Sequence, residues 1–184
     1  MKRAEGDLCD SIRWKLTTLL RTGRLFDTPT MMIQFKSRIL SYVEHRTAAI
    51  YHADVSVLDK VDKQYDRFLA AIGLTRQIAL ESFFLAPFCA RRDMAMLGVI
   101  HRCVLGKGPG QIREFLKLKD GSLHPSGRST IRRHDKQIRS FRRGKFFETT
   151  AKSILGLVDI YNMLPQRMVD EVSVQNFQKK YKDC

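Results

Sequence analysis

Leu58-Asp59-Lys60-Val61-Asp62-Lys63-Gln64-Tyr65-Asp66-Arg67-Phe68-Leu69-Ala70-Ala71-Ile72-Gly73 decides the fold class. Its apolar members Leu58, Val61, Tyr65, Phe68 and Ile72 follow a 3-4-3-4 spacing, which lines one face of an α-helix and suits no strand. Asp54 or Ser56 can accept the first unpaired amides of that helix, and Gly73 can take the left-handed residue that ends it. Asp59 and Asp62, three apart on the polar side, read as solvated carboxylates rather than a two-metal or acid–base pair.

The same period extends in both directions. Upstream, Ile12, Leu16, Leu19 and Leu20 recur from Asp10 to about Leu20, with Trp14 and basic residues on the other faces, and Gly23 breaks the pattern. Thr28-Pro29 reads as a cap followed by a first-turn proline, opening a helix with Met32, Phe35, Ile39 and Val43 along one stripe. Downstream, a short helix is expected over Thr75 to Leu85, stopped before Pro87. Another runs from Arg91 to Leu105, with Met94, Leu97, Ile100 and Val104 inward and Gly106 at its end. No run alternates with period two, so the expected class is all-α: a helical bundle followed by a basic C-terminal helical extension.

The character changes near residue 106. Gly106-Lys107-Gly108-Pro109-Gly110 is a turn that lacks the spacing and the preceding strand of a phosphate-cradling loop. Ile112 to Leu116 fits a short helix, and Lys119 to Ser129 a polar loop. The expected organisation is therefore a bundle over 1–106, a linker and polar loop over 107–129, and a basic helix with C-terminal extension over 130–184. That extension includes an apolar segment from Ile154 to Leu164, a turn at Pro165 and an amphipathic ending around Val174 and Phe177.

Charge sets the functional expectation. The chain of 184 residues carries 33 lysines and arginines against 19 aspartates and glutamates, a net +14 that favours a polyanionic partner. Eight of the basic residues, Arg128, Arg132, Arg133, Lys136, Arg139, Arg142, Arg143 and Lys145, fall in one stretch beside a single acid, Asp135. If Thr130 to Arg143 is helical, Arg132, Lys136, Arg139 and Arg143 share a sector roughly 16 Å long, opposite Ile131, Ile138 and Phe141. Such a one-signed stripe, rich in arginine, suits forked contacts to successive phosphates of RNA, DNA or an RNA–DNA hybrid. A solvated face or a nuclear-localisation patch are the competing readings. Arg91 and Arg92 can extend a cationic surface or pair with acids such as Glu81, and Lys15, Arg21 and Arg24 carry the same ambiguity.

Several chemistries find no residues. Cys9, Cys89, Cys103 and Cys184 are scattered without C-x-x-C spacing and read as reduced thiols, not zinc ligands. His101 and Cys103 point to different faces of a helix, and His45, His52, His124 and His134 have no acidic or thiol neighbours in sequence. No cofactor or metal is expected. Neither a secretory signal nor a membrane-length apolar run occurs, so an intracellular protein without membrane partners is expected, with the nucleus as a possible destination of the basic run.

A resemblance sharpens this. Phe35-Lys36-Ser37-Arg38-Ile39-Leu40-Ser41-Tyr42-Val43-Glu44-His45 and the following Val61-Asp62-Lys63-Gln64 resemble the helices after the palm in non-LTR retrotransposon (LINE-like) reverse transcriptases. Leu85-Ala86-Pro87, Arg91-Arg92-Asp93-Met94 and Leu97-Gly98-Val99-Ile100-His101-Arg102 are similar to the family's linker. Lys145-Phe146-Phe147 and Tyr161-Asn162-Met163-Leu164-Pro165 are similar to its C-terminal ending. The resemblance spans about Leu16 to Phe177 and implies a thumb-like, non-catalytic fragment of an RNA-directed DNA polymerase, gripping template and primer beside the rest of the polyprotein. The family's catalytic aspartates stand adjacent in the palm, and no Asp-Asp pair occurs here, so no catalytic residue is carried over. The competing reading is a helical protein-interaction module with a nuclear-localisation-like basic patch.

Overall fold

A computed structural model describes residues 2–118, 134–139 and 153–182 of the chain. The protein is predominantly helical, and among the described residues no strand forms beyond an isolated antiparallel bridge between Leu118 and Ile138. The chain divides into two compact units, Met1–Arg92 and Asp93–Cys184.

In the first unit, α1 (Lys2–Thr22) runs into a 3₁₀ turn (Gly23–Leu25). Then α2 (Thr28–Phe35) continues through a π turn (Lys36–Leu40) into α3 (Ser41–His45), followed by α4 (Thr47–Ile50), α5 (Val55–Ala71) and α6 (Arg76–Phe83). The cap of α2 is Asp27, whose carboxylate accepts from the Thr30 amide at 3.1 Å, whereas Thr28 was the residue expected there. Thr28 already has helical backbone, and a carboxylate one residue earlier reaches the same unpaired donors with a full charge.

The deciding stretch behaves as its spacing requires. Asp54 caps α5 by accepting from Ser56 at 2.8 Å; of the expected stripe Val61, Tyr65 and Phe68 are buried, Leu58 and Ile72 at its ends are half-buried, and Leu69 joins the buried face. Gly73 has φ +72°, while Leu74 donates to the Leu69 carbonyl and Gly73 to that of Ala70, the paired bonds of a Schellman ending. The core of the unit is aromatic. Phe35 stacks on Phe68 at 4.0 Å and 11° and faces Phe88 at 6.0 Å, and the Tyr65 hydroxyl donates to the Leu85 carbonyl at 2.8 Å.

Helix α7 (Phe88–Val104) contributes its first turn, with Phe88 and Arg92, to the first unit and the remainder to the second. The boundary between the two units thus falls inside a helix. A composition change marks a turn, but packing divides a chain wherever the partners of successive helical turns differ. The arginine pair is consumed there: Arg91 bonds Glu44, and Arg92 holds Asp62 with a forked pair at 2.7 and 2.9 Å. Asp62 is therefore a structural partner, not a solvated carboxylate, and Glu81 is not the acid that either arginine uses.

The second unit also contains α8 (Gly110–Phe115), α9 (Ile154–Asn162), α10 (Gln166–Val169) and α11 (Val174–Lys182). Leu97, Ile100, Leu157, Val158, Met168, Val169 and Phe177 are buried. At its centre lies His101, fully buried, stacked on Phe177 at 4.2 Å and 11°. Its Nε2 lies 2.7 Å from the Glu171 carbonyl, which can only accept, so Nε2 carries the proton and Nδ1 accepts from the Tyr161 hydroxyl at 2.9 Å. Burial lowers the pKa of His101 and raises that of Tyr161, keeping the imidazole neutral and the phenol protonated.

Candidate nucleic-acid interface

Of the eight basic residues singled out from sequence, Lys136 and Arg139 are described. Arg128, Arg132, Arg133, Arg142, Arg143 and Lys145 lie outside the described residues. The stretch 134–139 is not helical: it is a turn leading into the bridge with Leu118, so the expected helical stripe through Lys136 and Arg139 does not form. The cause is a clasp that helical backbone could not offer. The Asn162 side chain accepts from the Ile138 amide and donates to the Ile138 carbonyl, both at 2.8 Å, as a neighbouring strand would. Gln137 donates to the Asn162 carbonyl, His134 to that of Tyr161, and the Arg139 amide to that of Lys117 at 2.9 Å.

Lys136 is also claimed by the fold. Its Nζ donates to the Val169 carbonyl at 3.0 Å and stands 3.8 Å from Asp170, neutralising the C-terminal end of α10. Arg139 is exposed.

Cations without carboxylate neighbours gather instead in the first unit, around α1. One cleft, of about 530 Å³, opens between α1 and the π turn with α3; Trp14 and Lys15 line one wall, and Arg38, Tyr42 and Arg46 the other. A second, of about 400 Å³, lies where α1 meets α5 and is lined by Arg21, Arg24 and Arg67 with Thr17 and Leu20. No acidic side chain lines either cleft. Among the described residues none of these six cations is in an ion pair, in contrast to Arg76 with Asp66, Arg91 with Glu44 and Arg92 with Asp62.

The local sequence explains the arrangement. The apolar face of α1, Leu8, Ile12, Leu16 and Leu19, is spent on the core, which turns Trp14 and Arg21 outward. The acids Asp7 and Asp10 precede Arg13, Lys15 and Arg21 in α1, so the second half of the helix carries positive charge alone. Opposite, the π turn closes with the Ser41 amide donating to the Lys36 carbonyl, a widened turn of the kind that recurs at functional sites. Tyr42 organises the wall: the Lys15 ammonium lies 4.9 Å and the Arg46 guanidinium 3.8 Å from its ring centre.

Lys15, Arg21 and Arg24 were legible in sequence as an ambiguous basic group. Arg38, Arg46 and Arg67 were not, because only the packing of α1 against the π turn and α5 brings them beside it. Among the described residues no cluster of His, Cys, Asp or Glu could hold a metal ion, and no helix is long and apolar enough to cross a membrane. Cys9, Cys89 and Cys103 form no disulfide. Comparison with protein-family models, curated proteins and solved structures returns no match for this chain.

Proposed function

We propose that this chain is a non-catalytic nucleic-acid-binding module, a thumb-like fragment of a non-LTR retrotransposon reverse transcriptase that holds template and primer through charge. The observation that carries the reading is the pair of clefts around α1, where Lys15, Arg38, Arg46, Arg21, Arg24 and Arg67 stand with no carboxylate among them. Uncompensated cations on a folded surface raise its free energy unless counterions or a polyanion neutralise them, and released counterions make phosphate the favoured partner. The basic residues between Arg128 and Lys145 add to the same excess. The order of motifs from Leu16 to Phe177 supplies the family reading.

Filter binding of an RNA–DNA hybrid over a salt series tests it. Affinity should fall steeply with salt, and each phosphate-contacting cation replaced should lower the logarithmic slope by about one. One variant changes Arg21, Arg24, Arg38 and Arg67 to glutamine, and another changes Arg132, Arg133, Arg142 and Arg143. Wild-type affinity and slope in both variants would overturn the reading.

A second reading, a helical protein-interaction module with a nuclear-localisation-like patch, is favoured by Phe84. This residue ends α6 with φ +51° and leaves its ring 80% exposed, an expensive conformation for a bulky side chain. That reading requires a cooperative fold, no hybrid binding at physiological salt, and capture of a partner that Phe84→Ser abolishes.

A further inference from the structure

Trp14 is the chain's single tryptophan, and it is 68% exposed on the wall of a cationic cleft. Tryptophan is highly buried on average, so a ring left open at this position has a surface to offer. Among the described residues no aromatic ring or cation covers it, whereas the neighbouring Tyr42 ring already carries Lys15 and Arg46. The cleft thus has one open π face and cations held in place beside it. Its volume of about 530 Å³ lies within the range that small organic groups occupy in clefts.

We infer that this cleft is a single-strand site, in which an unpaired base stacks on Trp14 while the flanking phosphates meet Lys15, Arg38 and Arg46. The inference rests on the nucleic-acid reading above and narrows it to strands whose bases are unstacked. The chemistry of the lining selects this ligand. Its aliphatic hydroxyls are turned into the helices, Thr18 donating to the Trp14 carbonyl, Ser37 to that of Gln34 and Ser41 to that of Ser37. No aspartate, glutamate, asparagine or glutamine lines the cleft, so a sugar or a cation would find few acceptors. What is left is an aromatic face and positive charge, the two elements that grip single strands without reading sequence, because every base has a π face. A duplex keeps its bases stacked on one another and can use only the charge.

An anionic membrane surface also attracts cations and tryptophan, but interfacial helices present a broad apolar face outward. In α1 that face is spent on the core, and Trp14 lines a cleft between helices.

The unique tryptophan makes its own emission the readout. The full chain is titrated with oligo(dT) and oligo(U) of about twelve nucleotides, and with a duplex of the same length, while filter binding measures occupancy. Single strands are expected to quench Trp14, and the duplex to leave it nearly unchanged at equal occupancy. Trp14→Leu, at an exposed position and checked by circular dichroism, should weaken single-strand binding about tenfold and leave duplex binding intact. Arg38→Gln should lower the salt slope for both. Equal binding of single strand and duplex without quenching overturns the stacking inference and leaves the charge-based reading standing. No binding of any nucleic acid overturns both. A blue shift of Trp14 with vesicles containing anionic phospholipid, without quenching by oligonucleotides, overturns the inference in favour of a membrane surface.

Discussion

The Nδ1 of His101 accepts the hydroxyl of Tyr161 at 2.9 Å across sixty residues of sequence, and this bond lies at the centre of the second unit. It joins α7 to α9, while the other ring nitrogen of His101 reaches the Glu171 carbonyl between α10 and α11.

Acidification should loosen that unit. Burial is the main cause of the lowered His101 pKa, Lys136 lowers it further, and the bond to the Glu171 carbonyl opposes both. In the unfolded chain the imidazole titrates near its ordinary value of about 6.5. The contribution of neutral His101 to stability is therefore complete above that pH. It is lost as pH falls, because the unfolded chain takes up a proton that the folded one resists. Urea midpoints between pH 7.5 and 5 should fall in the wild type and flatten in His101→Gln. A midpoint that does not move with pH in the wild type would refute the assignment.

Asn162 imitates a strand for Ile138, and its replacement should be costly. Asn162→Leu keeps the number and branching of side-chain heavy atoms while leaving the buried amide and carbonyl of Ile138 without that partner. Each unsatisfied buried group costs about 1–3 kcal/mol, so a loss of roughly 2–4 kcal/mol is expected in chemical denaturation. Hydrogen exchange at the Ile138 amide should accelerate more than exchange in α5.

The pair Arg92 and Asp62 should behave asymmetrically. The Arg92 side chain is only 6% exposed and that of Asp62 25%, so Asp62→Ala strands a buried guanidinium. A loss of about 2–4 kcal/mol is expected for that single change, and the double variant Asp62→Leu with Arg92→Met should recover most of it. Thermal unfolding of the three variants beside wild type measures the coupling.

Gly108 should not tolerate a side chain. A Cβ there would lie 2.8 Å from the Cα of Cys103 and touch its sulfur, and backbone cannot withdraw as a flexible side chain could. Gly108→Ala should destabilise by about 1–3 kcal/mol, and adding Cys103→Ala should not restore it, since the Cα remains. At Gly98 the obstruction is the end of the Gln178 side chain together with Val174. Gly98→Ala should therefore be milder in the same denaturation assay, the better helix propensity of alanine offsetting part of the crowding.

The sequence by itself determined the helices of the first unit and the course of α7, because helical periodicity, caps and left-handed glycines are local properties. The run from Leu58 to Gly73, the short helix following Thr75 and the Gly106 ending of α7 follow from spacing and backbone preference alone. The sign of the charge was equally plain. What only the tertiary structure decided was where each cation is used. Lys136 is bound to the end of α10, Arg91 and Arg92 are paired with acids far away in sequence, and residues 134–139 form a turn and a bridge, with Ile138 clasped by Asn162, where a helix was expected. Arg38, Arg46 and Arg67 come beside Trp14, Lys15, Arg21 and Arg24 only when α1 packs on the π turn and α5. Composition counts charges, but desolvation and partners fix what each one is worth, and those depend on groups that the chain brings together only on folding.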